Sequence, residues 1–180
     1  MTSPSATQDV GVPEAATTVA LKWWVVHTKP RQEKALADDL TNLQVDHFLP
    51  LQQSVRYYGK RKFRVELPLF SGYLFLNASP DQAISADRTG RVASLIKVAD
   101  QDRIAAELRA IRLALEQGAD LSVSGMIKSG DTVEVTSGPF KGLRGIVDRS
   151  GPQGRLLLGV HLIERAAVLE IDHALLKRVD

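Results

Sequence analysis

The chain has 180 residues, 44% of them hydrophobic, with 23 Lys and Arg against 21 Asp and Glu and no cysteine. That length admits one domain or two small ones with real cores, and the absence of cysteine excludes disulfides and thiolate metal sites and suits a reducing, cytoplasmic setting. No apolar run approaches the roughly 20 residues of a membrane span, and residues 1–21, rich in Ser, Thr, Ala and Pro without Lys or Arg, lack the features of a signal peptide and read as a disordered tail.

Positive charge then concentrates: residues 22–64 hold nine Lys and Arg against four Asp and Glu. Lys22-Trp-Trp-Val-Val-His27 reads as a short strand leading through Pro30, placed in the first turn, into a helix whose Ala35, Leu36, Leu40 and Leu43 share one face. Trp23 and Trp24 point to opposite sides of that strand, one into the core; the other either borders a surface pocket or packs beneath a helix. Residues 54–58 and 63–67 flank a Gly59-Lys60 break, with Phe63, Val65 and Leu67 alternating with charged neighbours, so they form a hairpin with a basic tip. The apolar run "LPLFSGYLFLN" reads as one central strand with a local irregularity at its glycine, which puts Tyr73 and Phe75 on one face and Leu74 and Leu76 on the other. Ser79-Pro80-Asp81-Gln82 has the spacing of a capping box and starts a helix running to about Arg88. Residues 92–98 are a further strand, and Asp100 caps a helix with Ile104, Leu108, Ile111 and Leu115 on one face. Residues 22–117 thus form a mixed α/β (α+β) layer whose helices cover one side of an antiparallel sheet.

Residues 118–126 mix small and polar types without periodicity and read as a linker. Beyond them come short strands at 131–137, 142–149, 155–161 and 165–171, a Gly151-Pro152-Gln153-Gly154 turn, and a last piece near residues 177–179, the pattern of a small all-β barrel over 127–180. Its stretch "TSGPFKGLRGIV" fits neither the P-loop nor the dinucleotide glycine spacing. Glycines there supply positive φ at a turn between two strands, so it is a hairpin. In residues 162–179, Ile163, Ala167, Ile171 and Leu175 recur every four positions, which leaves a helical reading open beside the strand reading.

Two motifs carry a resemblance. "KSGDTVEVTSGPFKGLRGIVD" is similar to the KOW signature, and "WWVVHTKPRQEKALADDL" with "LPLFSGYLFL" resembles the N-terminal domain of the NusG family of transcription elongation factors. Their order covers nearly all of residues 22–179. "PLF-x-x-YLF" and the basic "YYGKRKFR" lie closer to specialised paralogues such as RfaH than to housekeeping members. The chain departs from the family at Ser71, where proline is usual, and at Arg91, where glycine is. Asp39 and Asn42 replace a histidine and an arginine of the specialised subgroup.

The resemblance implies an N-terminal domain linked to an SH3-like KOW barrel, acting as a monomer without cofactor, metal or membrane, and suppressing pausing or termination. Its polymerase-binding residues are Trp23, Phe70, Tyr73 and Phe75, walls of an apolar pocket for the clamp helices of the largest RNA polymerase subunits; on sequence alone the three rings of "LFSGYLF" are equally explained as core. Lys29, Arg31, Arg56, Tyr58, Lys60, Arg61, Lys62 and Arg64, cations interleaved with rings, suit non-template DNA held by phosphate contact and base stacking, where a plain solvated hairpin tip is the alternative. Gly138, Phe140, Lys141, Gly142, Gly145 and Ile163 form the KOW turn and a surface for a ribosomal protein or termination factor. Phe140 either contacts that partner or folds back over the barrel mouth. The four histidines have no metal-ligand spacing and no nucleophile motif occurs, so the chain reads as no enzyme. A ribosome-associated RNA-binding KOW protein is the competing class, and the equal numbers of acidic and basic residues in 118–180 disfavour it.

Overall fold

The computed structural model describes residues 19–125, 130–148 and 154–179. Most of the expected tail, and residues 151–153 of the last turn, lie outside them.

Strand β1 (Lys22–Thr28) sits inside a four-stranded antiparallel sheet of order β2-β5-β1-β6, with β2 at Asp46–Phe48, β5 at Tyr73–Ala78 and β6 at Val92–Lys97. Residues on β1 and β5 alternate between two buried faces. Trp24, Val26, Leu74, Leu76 and Ala78 pack with Leu36 and Leu40 of α1 (Glu33–Asn42) and with Ala83 and Ala86 of α2 (Pro80–Asp87). Val25 and Phe75 pack on the opposite side with Ile104, Leu108 and Ile111 of α3 (Gln101–Glu116). The helices therefore cover both sides of the sheet, not one. The inner strands are apolar at consecutive positions, and each face needs its own cover.

Helix α2 has the capping box its spacing predicts: Gln82 N–H donates to Ser79 Oγ at 3.2 Å and Ser79 N–H to Gln82 Oε1 at 3.0 Å. Asp100 Oδ1 accepts the Arg103 N–H at 2.9 Å and caps α3. Helix α1 begins later than Pro30 suggests, because Arg31 lies in the left-handed region at φ 61° and the Gln32 N–H turns back to the Lys29 carbonyl.

The run "LPLFSGYLFLN" is two strands, not one. Its start ends β4 (Arg61–Pro68), which pairs with β3 (Leu51–Tyr58) as a separate ribbon, and its end is β5. Between them residues 69–72 turn, with Gly72 at φ 85° and the Tyr73 N–H bonded to the Phe70 carbonyl at 3.0 Å. The Gly72 N–H donates to Glu33 Oε1 at 2.7 Å; Glu33 is only 6% exposed, so a buried carboxylate from α1 holds this turn.

The expected linker contains strand β7 (Leu121–Gly125), which pairs with β11 (Arg165–Ile171) through five residue pairs. With β8 (Thr132–Val135), β9 (Arg144–Asp148), β10 (Gly154–Val160) and β12 (Leu176–Arg178) it completes a six-stranded antiparallel sheet of order β12-β8-β9-β10-β11-β7. The β8–β9 connection is a hairpin whose turn uses Gly138 at φ 81° and Gly142 at φ 85°. Seven pairs with β10 make residues 165–171 a strand, so the period of four there is not helical. One contiguous core runs from Phe75 and α3 into Leu156, Leu158 and Val160 of β10.

Two predictions follow from close approaches. A Cβ at Gly145 would lie 2.7 Å from the Leu157 carbonyl oxygen, so Gly145→Ala should destabilise the C-terminal module by about 2 kcal/mol or more in urea unfolding. Glu33→Ala orphans the Gly72 N–H and should cost about 1–3 kcal/mol, and Glu33→Gln, which keeps an acceptor, should cost clearly less by the same measurement.

Candidate functional site

The cross-strand register places the aromatic residues in two rows on the α3 side of the sheet. Phe48, Phe75, Val25 and Ile96 form one row, and Tyr73, His27 and Ser94 the next. Phe70 meets Phe75 edge-on with ring centroids 6.3 Å apart. Phe70 is 2% and Phe75 0% exposed, enclosed in the core to which α3 contributes Ile104, Leu108 and Ile111. In this arrangement the rings expected to wall an open pocket are core residues, because α3 fills the hollow that "LFSGYLF" leaves. The accessible rings are at the margin: Tyr73, half-buried, lies 5.1 Å from exposed His27. Phe48 lies beneath the Arg112 guanidinium at 4.6 Å, a cation–π contact from α3.

Trp23, also half-buried, is anchored by the Gln101 amide: the Trp23 N–H donates to Gln101 Oε1 at 2.7 Å and Gln101 Nε2 donates to the Trp23 carbonyl at 3.0 Å. Strand β6 ends at Lys97, and beyond it this side chain supplies the hydrogen bonds a neighbouring strand would make.

Among the described residues the β3–β4 ribbon has no other strand beside it. Its register joins Val55 to Arg64, Arg56 to Phe63, Tyr57 to Lys62 and Tyr58 to Arg61. Each of these four successive rungs carries one apolar or aromatic residue and one cation, and successive rungs face opposite sides. Arg56, Lys60, Arg61, Lys62 and Arg64 are exposed, and none forms an ion pair among the described residues. Tyr57 is 68% exposed. Glu66 is the one acidic residue on the two strands.

The cations near α1 are placed differently. Lys29 Nζ donates to the Gly90 carbonyl at 2.6 Å, and Arg91 binds Asp39 Oδ2 at 2.6 Å and also Gln32. Asp39 and Arg91, two of the departures from the family pattern, are thus partners in one pair, half-exposed and worth at most about 1 kcal/mol. Arg31 is exposed on its left-handed turn. The ribbon and the α1 edge are separate clusters, and the freer charges are on the ribbon.

In the C-terminal module, Gly138, Lys141 and Gly142 are exposed at the β8–β9 turn, while Gly145 lies within β9 against β10. Phe140 packs partly against the core, the folded-back alternative, and Ile163 is 7% exposed and interior. Near Ile163, His161 Nδ1 lies 2.6 Å from Glu107 Oε1 of α3, and the His161 N–H reaches Glu107 Oε2 at 3.4 Å. Glu33, Gln101, Glu107 and Arg112 organise these surfaces without a sequence signal, since each acts on a partner at least 39 residues away or on another element. Among the described residues no group of three or more His, Asp or Glu is placed to hold a metal ion, and no helix is long and apolar enough to cross a membrane.

An α/β module followed by a KOW-type β-module is the architecture of a class of transcription factors, and comparison with known proteins agrees. The family model described as "Transcription termination factor nusG" matches residues 21–110 and the KOW motif model residues 129–150. The transcription termination/antitermination protein NusG of Deinococcus radiodurans is 24% identical over 186 residues, covering 86% of this chain and 97% of that protein. A solved MjSpt4:Spt5 complex contains a chain that is 20% identical, with a TM-score of 0.31, covering 88% of this chain and 97% of that one. The chain belongs to the NusG family of transcription factors.

The contact between α3 and His161, just beyond β10, gives a prediction. Glu107→Gln should weaken it by up to about 1 kcal/mol, roughly fivefold in the equilibrium. Hydrogen exchange at the α3 amides should then accelerate up to that factor while exchange in the β8–β9 ladder stays unchanged.

Proposed function

We propose that this chain is an elongation factor without chemistry of its own, which holds RNA polymerase and nucleic acid together and suppresses pausing or termination. The observation that carries this reading is the β3–β4 ribbon, four rungs that each join a cation to an apolar or aromatic residue, in a member of a transcription-factor family. Phosphate contact by Arg56, Lys60, Arg61, Lys62 and Arg64, with stacking on Tyr57, favours a single DNA strand such as the non-template strand. Lys29 and Arg91 are already engaged, so sequence reading from the α1 edge is not part of the proposal.

Tyr73 is the polymerase anchor in this reading, with Phe70 and Phe75 behind it as its rigid support. Paired clamp helices would meet the Tyr73–His27 margin, where a ring is accessible and backed by packed core. The exposed β8–β9 turn, with Lys141, is the surface offered to a ribosomal protein or termination factor, and the molecule works as a cytoplasmic monomer.

Two measurements test it. Full-length protein should retain core polymerase, and Tyr73→Ala should reduce that retention at least tenfold while far-UV circular dichroism is unchanged; recovery of ribosomal particles alone would reverse the assignment. Replacing Lys60, Arg61 and Lys62 by Gln should lower the slope of log K against log salt for a single-stranded oligonucleotide by about 2, from roughly 0.7 per lost phosphate contact. An unaltered slope would remove the ribbon from the reading.

A further inference from the structure

A second surface lies at the far end of β1, about 13 Å along the strand from the His27–Tyr73 pair. There a groove of about 280 Å3 opens between β1, the end of β6 and the starts of α2 and α3. Trp23, Trp24, Pro80 and Val98 give it an apolar lining, and Lys22 and Lys97 complete it.

The polar groups of this groove divide sharply. Gln101, which also lines it, is saturated: its amide serves both backbone groups of Trp23 and donates to the Val98 carbonyl at 3.0 Å. Trp24 Nε1 donates to the Ala78 carbonyl at 3.1 Å. The two lysines remain. Lys97 is cross-strand from Trp24, and Lys22 lies two residues before Trp24, so both side chains leave the same face of the sheet as diagonal neighbours, about 7–8 Å apart at the backbone. No carboxylate lines the groove, and neither lysine forms an ion pair among the described residues. Asp100, the acid nearest Lys97 in sequence, is committed to the α3 cap.

Two exposed like charges lining an apolar groove, with no counter-charge among the described residues that line it, specify an anionic ligand with apolar substituents. Phosphate of a nucleic acid would satisfy the lysines, but the floor gives bases little to stack on: Trp24 is 9% exposed, Pro80 and Val98 are aliphatic, and half-buried Trp23 is the single accessible aromatic ring. A carboxylate flanked by aliphatic side chains matches both parts. We propose that this groove docks a short segment of a partner protein in which Asp or Glu alternates with apolar residues, the acids pairing with Lys22 and Lys97 and the apolar side chains covering Trp23 and Val98. This surface is independent of the Tyr73 margin and of the ribbon.

The chain has only two tryptophans, and both line the groove, so intrinsic fluorescence reports its occupancy directly. The full chain is titrated with the blocked peptide acetyl-Leu-Glu-Leu-Glu-Leu-Glu-amide. A saturable emission shift is expected, at least tenfold weaker for the Gln analogue of the peptide and for the Lys22→Glu, Lys97→Glu double variant, with unchanged far-UV circular dichroism. A peptide carrying Lys in place of Glu should bind that double variant better than it binds the parent. Equal responses to the Glu and Gln peptides, or no saturable response, overturn the proposal. A stronger response to oligothymidylate makes the groove a nucleic-acid site. A response to the peptide only after removal of residues 1–18 assigns the groove to the chain's own N-terminus. Either of those last results also overturns it.

Discussion

Helix α3 packs against two surfaces at once, and the arrangement of the whole molecule depends on it. Ile104, Leu108 and Ile111 close over Phe75 and Val25, while Glu107 reaches His161 beside β10. Each large side chain buried there contributes on the order of 1.5–3 kcal/mol, more than either polar contact between Glu107 and His161. The hydrophobic term therefore fixes α3 both on the sheet and, through Leu156, Leu158 and Val160, against β10, and the contact to His161 adds to it. Since the same helix seals the aromatic core and carries the second module, a displacement of α3 would be felt by both.

The ribbon follows an opposite rule. An isolated two-stranded hairpin is marginal in water, and this one concentrates four cations against one acid on its two strands, with a fifth cation, Lys60, in its turn. Its base is tied to the body by the Leu69 N–H bonded to the Pro50 carbonyl at 2.8 Å, and burial fades toward the tip. Mutual repulsion of those charges is a cost in the free protein that an anionic strand would relieve. The division is clear: apolar residues of β1, β5 and α3 stabilise the fold, and the ribbon spends stability on charge.

Local features were legible in the sequence where the interaction is itself local. The Ser79–Gln82 capping box, the Asp100 cap, the amphipathic stripe of α3 and the glycine turn after β8 all act within a few residues. Features decided by distant partners were not. The run "LPLFSGYLFLN" has the hydropathy of one strand and is two, its start paired with β3, its end in the main sheet, and the turn between them bonded through the Gly72 N–H to a carboxylate 39 residues away. Burial of Phe70 and Phe75 rests on where α3 lands, which no spacing encodes. Cover on both sheet faces was readable in principle from consecutive apolar pairs such as Val25-Val26. The period of four from Ile163 to Leu175 is resolved only by the ladder with β10.

Strand β7 looks like a linker by composition because Ser122, Ser124 and Gly125 bring no hydrophobic signal; pairing with β11 and burial of Leu121 order it. It also sets the leash between the modules. While the five pairs are zipped, only residues 117–120 separate α3 from the sheet of the second module. Peeling them would pay out about 17 Å of extra chain at roughly 3.4 Å per residue, so the span the two modules can bridge is governed by a short, uncharged stretch of backbone hydrogen bonds.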